Sequence, residues 1–181
     1  MGRISRIAVG AGLVALLAAC QQQGGSEMPA QPVNLHEQMK NVVSVQAQVL
    51  WDISNRLLLT DGPATADLIP AADWDKMGVA AARMGEAARA IGNAKKLVVV
   101  QPGVKIDDEG DPGAWSGAQV QRAIDADPAQ FKAHAQRLQE SAATFTAAVK
   151  AHDAAKLSQV AGELDEVCEA CHKQFWYPDE H

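Results

Sequence analysis

The sequence predicts an all-α protein, an antiparallel up-down-up-down four-helix bundle, and three observations carry that expectation. Alanine is abundant, only 4% of the 181 residues are aromatic, and runs alternating Val, Ile, Thr or Tyr with polar residues are almost absent. That balance favours helix over sheet. Four stretches place apolar residues at alternating spacings of three and four, so each buries one seam. Their connections are mostly short, and helices joined in that way pack antiparallel. A chain of this length holds one domain with a full core.

The first helix is expected to start at Asn34, with Glu37 three positions later in the manner of a capping box. Its seam reads Leu35, Met39, Val42, Gln46, Val49 and Ile53, and Asp61-Gly62-Pro63 stops it. The second begins near Pro70 to Asp73 and runs to about Val99, with Trp74, Met77, Ala81, Met84, Ala88 and Ile91 as its seam. Gly78, Gly85 and Gly92 recur along it every seven residues, and each costs about 1 kcal/mol relative to Ala in a helix interior. A stripe of that kind points to a close helix contact.

Residues 101–126 form a long connection that holds Asp107-Asp108-Glu109, read as a solvated turn rather than a calcium loop because EF-hand spacing is absent. Ser116 to Asp125 is expected to form a short helix. Asp127-Pro128 opens the third helix, with Asp as cap and Pro at the first helical position. Its seam is Phe131, Ala135, Leu138, Ala142, Phe145 and Val149. Asp153 caps the fourth, whose seam of Leu157, Val160, Leu164, Cys168, Cys171 and Phe175 ends before Pro178.

Ahead of the bundle domain, expected over 34–178, lie two segments of different character. Arg3 and Arg6 precede an apolar run from Ile7 to Leu17 and the small-residue junction Leu17-Ala18-Ala19-Cys20. That order is a signal peptide over 1–19, and its apolar run is shorter than the roughly 18 to 20 residues a bilayer requires. The junction resembles the bacterial lipobox, which implies lipid on Cys20; Gln21 in place of Asp favours the outer membrane by the same resemblance. Residues 20–33 are rich in Gln, Gly, Ser and Pro, as a flexible tether would be.

The chemistry concentrates in Cys168-Glu169-Ala170-Cys171-His172. Two cysteines three apart on a helix put both sulfurs on one face, where they can add to the two vinyl groups of one porphyrin, and the next residue turns an imidazole toward the iron. The motif thus reads as a haem c attachment site with His172 as proximal ligand. A dithiol redox pair is the main rival, although no strand precedes the motif. Zinc would need a second pair of ligands at suitable spacing. With Cys20 lipidated and Cys168 and Cys171 on haem, no thiol of the three remains.

Four helices ending on this motif resemble the cytochrome c′ and cytochrome c-556 superfamily, over about Asn34 to Tyr177. The resemblance implies one covalent haem c near the end of the fourth helix. It also implies Met39 as sixth ligand, because six-coordinate relatives carry a Met-Lys pair where Met39-Lys40 stands. Met39 lies on the inward seam about one turn from the start of its helix, at the depth of the motif. His36, on the flank of that seam in a turn expected to fray, and His134, on the edge of the third helix, are the other candidates. One departure is the sixteen-residue separation of Trp115 and Phe131, where the family has a compact link.

The formal charge is −6, and without Arg3 and Arg6 it becomes 14 basic against 22 acidic residues, or −8. Such a chain repels nucleic acid and would attract a basic redox partner. The expected function is electron transfer by a lipid-anchored, periplasm-facing cytochrome with His/Met ligation, acting on a partner protein and not as an enzyme. Assembly as a homodimer is compatible with the resemblance. Two other functions stay open: a five-coordinate protein that binds NO or CO, and a binding module stapled by its haem. Lys95 and Lys96 read as a solvated helix terminus, where the dipole favours cations.

Overall fold

The computed structural model describes residues 31–177. Signal peptide, Cys20 and Pro178 therefore lie outside the described residues. The first long helix is built from α1 (Leu35–Gln38), a π turn (Met39–Val43) and α2 (Ser44–Leu57). A 3₁₀ turn at Ala66–Leu68 leads to α3 (Ala71–Gly92), followed by a short α4 (Gly117–Ala126), α5 (Pro128–Ala151) and α6 (Ala154–Phe175). Each long helix packs on the next in sequence and α6 returns against α2, which gives the up-down-up-down four-helix bundle.

Local capping agrees with the sequence reading. Asn34 Oδ1 accepts from the Glu37 amide at 3.1 Å, Asp127 Oδ1 from Gln130 at 3.1 Å and Asp153 Oδ1 from Lys156 at 2.9 Å. Ser116 and Gln119 form a reciprocal capping box at the start of α4. The expected seams of α3 and α5 are buried at every position. In α6 the seam is buried at Leu157, Val160, Leu164 and Phe175, while Cys168 and Cys171 are half-buried at the edge of a hollow.

The first helix departs from the expected register. Val43 and Leu50 are buried where Val42 and Val49 were expected to be, and those two are only partly covered. The Ser44 amide bonds to the Met39 carbonyl five residues back, which makes a π turn there, and downstream of it Gln46 and Ile53 are buried as expected, so the buried face is wider than the expected seam rather than wholly displaced.

The second helix also ends seven residues earlier than expected, at Gly92. Beyond it Leu97–Val98 (β2) pairs in parallel with Val33–Asn34 (β1). Asn93 closes the helix, and Leu97 and Val98, at the start of a valine-rich run, take the extended form that β-branched residues favour. Lys95 and Lys96 consequently lie exposed in the turn beyond the helix rather than at its terminus.

The glycine stripe faces α5. A methyl group placed on Gly78 would meet Val149 Cγ1 at 3.6 Å, on Gly85 the Ala142 Cβ at 3.3 Å, and on Gly92 the Ala135 Cβ at 3.4 Å. The stripe is a close helix contact, as expected. At the far end of the bundle Asp73 is buried against Arg56 and Lys76, which together hold its carboxyl below the usual range.

Gly85→Leu is expected to lower stability by about 1 to 3 kcal/mol through overpacking against Ala142. Gly78→Ala, at ordinary contact distance, is expected to leave stability unchanged or raise it by up to about 1 kcal/mol through helix propensity. Denaturant midpoints of the two variants check this; equal losses would show that the stripe is not the tight contact.

Candidate functional site

Antiparallel packing brings the C-terminal end of α6 beside the start of the first helix, the end of α3 and the start of α5. A cavity of about 350 Å³ lies there. Its walls are largely apolar, from Leu35, Val43, Ile91, Phe131, Leu138 and Phe175, and the connection closes the end with Val99, Ile106, Val120 and Ile124. The exposed residues on its lining are Lys40, Ser44, Gln48 and Asp107, so the cavity opens along the outer flank of the first helix. Trp51 bounds it on the bundle side, its indole N–H donating to the Ala161 carbonyl of α6 at 3.0 Å.

Cys168, Cys171, His172 and Met39, the residues the sequence nominated, all line this one cavity. Met77 does not; it is fully buried in the α3 seam. Both thiols of the motif are free. Burial, with Asp165 nearby, pushes the Cys168 thiol up to about 11, and burial, with Cys168 beside it, pushes Cys171 up to about 12. A dithiol oxidoreductase needs the opposite shift, toward thiolate at neutral pH. Burial also lowers the His172 pKa, against the opposing pull of Glu169, which keeps the imidazole neutral with a lone pair to offer. Among the described residues there is no group of three or more His, Cys, Asp and Glu that could hold a metal ion.

Two histidines differ from expectation. The His36 turn does not fray: its amide donates to the Val99 carbonyl at 3.0 Å, and the β1–β2 ladder ties down the chain just before it. Its ring lines the cavity with both nitrogens buried and lacking a hydrogen bond, Nε2 standing 3.6 Å from Asp107 Oδ1. His134 is 5% exposed rather than on an edge, because Nε2 donates to Gln174 Oε1 at 2.8 Å across to α6; its Nδ1 is buried and unpartnered. The missing signal was the partner, forty residues away. The acidic cluster is not merely solvated either. Lys40 donates to Asp107 at 2.9 Å and holds its carboxyl below the usual range, and Glu109 accepts from the amides of Ile106 and Gly117.

The hollow fits a haem. It combines apolar walls, two sulfurs and an imidazole on one helix face, a thioether on the facing helix, and buried ring nitrogens at His36, His134 and Trp176 that the chain itself leaves unsatisfied. A four-helix bundle with such a hollow at the end of its last helix defines a bundle-type haem protein. The family model described as Cytochrome C′ matches residues 74–176, more than half of the chain. The chain belongs to the cytochrome c′ family and is a haem c-binding cytochrome. Neither a curated protein nor a solved structure gives a significant match.

Proposed function

We propose that this protein is an electron carrier. It binds one haem covalently through Cys168 and Cys171, with His172 as proximal and Met39 as distal ligand of the iron, and it performs no catalysis of its own. The observation that carries the reading is the meeting of all four side chains on one cavity, with His172 and Met39 contributed by facing helices. The haem supplies the one-electron chemistry; the chain binds it, shields it and sets its potential. A thioether ligand favours ferrous iron and raises the potential, which suits a carrier. The π turn that begins at Met39 supports the assignment, since such turns recur at functional sites.

Upstream of the domain, the Leu17-Ala18-Ala19-Cys20 junction supports a lipid anchor on the periplasmic side of the envelope, with the outer membrane favoured by Gln21. No helix among the described residues is long and apolar enough to cross a membrane. The acidic balance supports a basic redox partner protein.

Acid-acetone extraction is expected to leave the haem on the wild-type chain and to release it from a Cys168→Ala, Cys171→Ala double variant. Free release from wild type would overturn covalent attachment.

Oxidised protein is expected to be low-spin, with a thioether-to-iron charge-transfer band in the near infrared that Met39→Ala abolishes. A high-spin wild-type spectrum that shifts on addition of CO to the reduced protein would replace the carrier with the gas-binding reading. A band that survives the substitution would move the ligand elsewhere.

Mass spectrometry of protein extracted from membranes is expected to find lipid on Cys20 as the first residue of the mature chain. A different mature N-terminus would remove the anchor.

A further inference from the structure

Trp176 and Tyr177, the described residues beyond α6, fold back against His172. The amides of Trp176 and Tyr177 both donate to the His172 carbonyl, at 2.7 and 3.0 Å, which closes the helix and fixes the two residues against it. Their rings then lie side by side against the imidazole, with their own centroids 5.8 Å apart. Trp176 meets it edge to face, with centroids 4.8 Å apart at 87°, and Tyr177 stands 5.8 Å away at 66°.

Tyr177 is held through its ring and Trp176 through its backbone. The Tyr177 hydroxyl donates to Glu169 Oε2 at 2.6 Å, and the Glu169 carboxylate also pairs with Lys173 at 3.1 Å. The Trp176 carbonyl accepts the Trp115 amide at 2.9 Å, so the long connection between α3 and α5 is tied to the residue that abuts the imidazole. That connection also supplies the closing wall of the cavity.

We propose that Trp176 is a positioning residue that sets the plane of the His172 imidazole, with Tyr177 as its second wall, and that the 101–126 connection anchors it through the Trp115 amide. The inference rests on the reading of His172 as an axial ligand. An imidazole bonded to iron is free to turn about that bond unless its edges are confined, and its plane governs overlap with the iron d orbitals. Groups that contact a ligating histidine orient the ring and tune the metal in this way. Edge-to-face contact suits the task, because the positive rim of one ring meets the negative face of the other in a preferred geometry. The extra length of the connection thereby acquires a role in the redox properties of the site.

The test uses the haem-loaded protein and compares wild type with Trp176→Ala, Trp176→Phe, Trp115→Ala and Trp115→Pro; the last two both lose the indole that packs on the core, and only the proline variant also lacks the anchoring amide donor. Electron paramagnetic resonance of the oxidised forms reads the axial field at the iron for either spin state, and potentiometry reads the midpoint. Trp176→Ala is expected to shift both readouts with covalent haem and helix content retained, Trp176→Phe to restore them, and Trp115→Pro to shift them in the direction of Trp176→Ala by more than Trp115→Ala does. Unchanged resonance and midpoint in Trp176→Ala would overturn the proposal. A shift in Trp176→Ala without one in a folded, loaded Trp115→Pro beyond that of Trp115→Ala would overturn the anchoring by the connection. Failure of the underlying reading shows separately, as a wild type that carries no covalent haem or whose spectrum does not respond to His172→Ala.

Discussion

Glycines at 78, 85 and 92 let the backbone of α3 approach α5 to methyl-contact distance, and the asymmetry of the bundle follows from that approach. Buried alanines at Ala80, Ala81, Ala87 and Ala88 of α3 and Ala135, Ala142 and Ala148 of α5 accompany the glycines. The opposite pair is spaced differently. Trp51 of α2 reaches the backbone of α6 through the Ala161 carbonyl and acts as a strut, and the hollow lies between that strut and the end of the bundle. One pair of helices is tight so that the other can leave room, and the four helices can do both because small and large residues sit on separate faces.

The end of the bundle is sealed by segments outside the four long helices. The parallel ladder of Val33–Asn34 with Leu97–Val98 joins the entry into the first helix to the exit from α3. Gln121 of α4 accepts the Val99 amide at 2.8 Å, and Glu109 accepts from Ile106 and Gly117, so the connection has its own hydrogen-bonded frame. Val100 lies so close to Gly117 that a Cβ there would fall 2.8 Å from Val100 Cγ2, which explains a glycine at the first position of α4. These pieces leave the mouth of the cavity on the flank marked by Lys40, Ser44 and Gln48.

Within the cavity, chemistry and packing share the same side chains. Phe175 continues the α6 seam beyond the cysteines and meets Phe131 and His134 edge to face, at 5.5 and 5.9 Å. His134 is held by Gln174 on the same turn, which gives the wall beside the motif a fixed polar group. Met39 sits where the π turn begins, so the wider turn lies at the depth where a bound group would need room.

How much of this was legible in the sequence depends on the range over which each feature is encoded. Helix identity, the seams of α3 and α5, the caps at Asn34, Asp127 and Asp153, and the Cys168 to His172 motif are local patterns, set by neighbours three or four residues apart, and they could be read directly. Antiparallel order followed from connection length, and it sufficed to place Met39 and His172 at one end. The tertiary structure decided the rest. The burial of Val43 and Leu50 in place of Val42 and Val49, with Gln46 and Ile53 buried as expected, is decided by packing beside a π turn that an apolar period does not record. The early end of α3 reflects a competition between helix and a ladder whose strands are more than sixty residues apart in sequence. The burial of His134 and the contact of Trp176 and Tyr177 with His172 depend on partners supplied by other turns and other helices. Periodicity reports which face of a helix is apolar; only packing determines what that face meets.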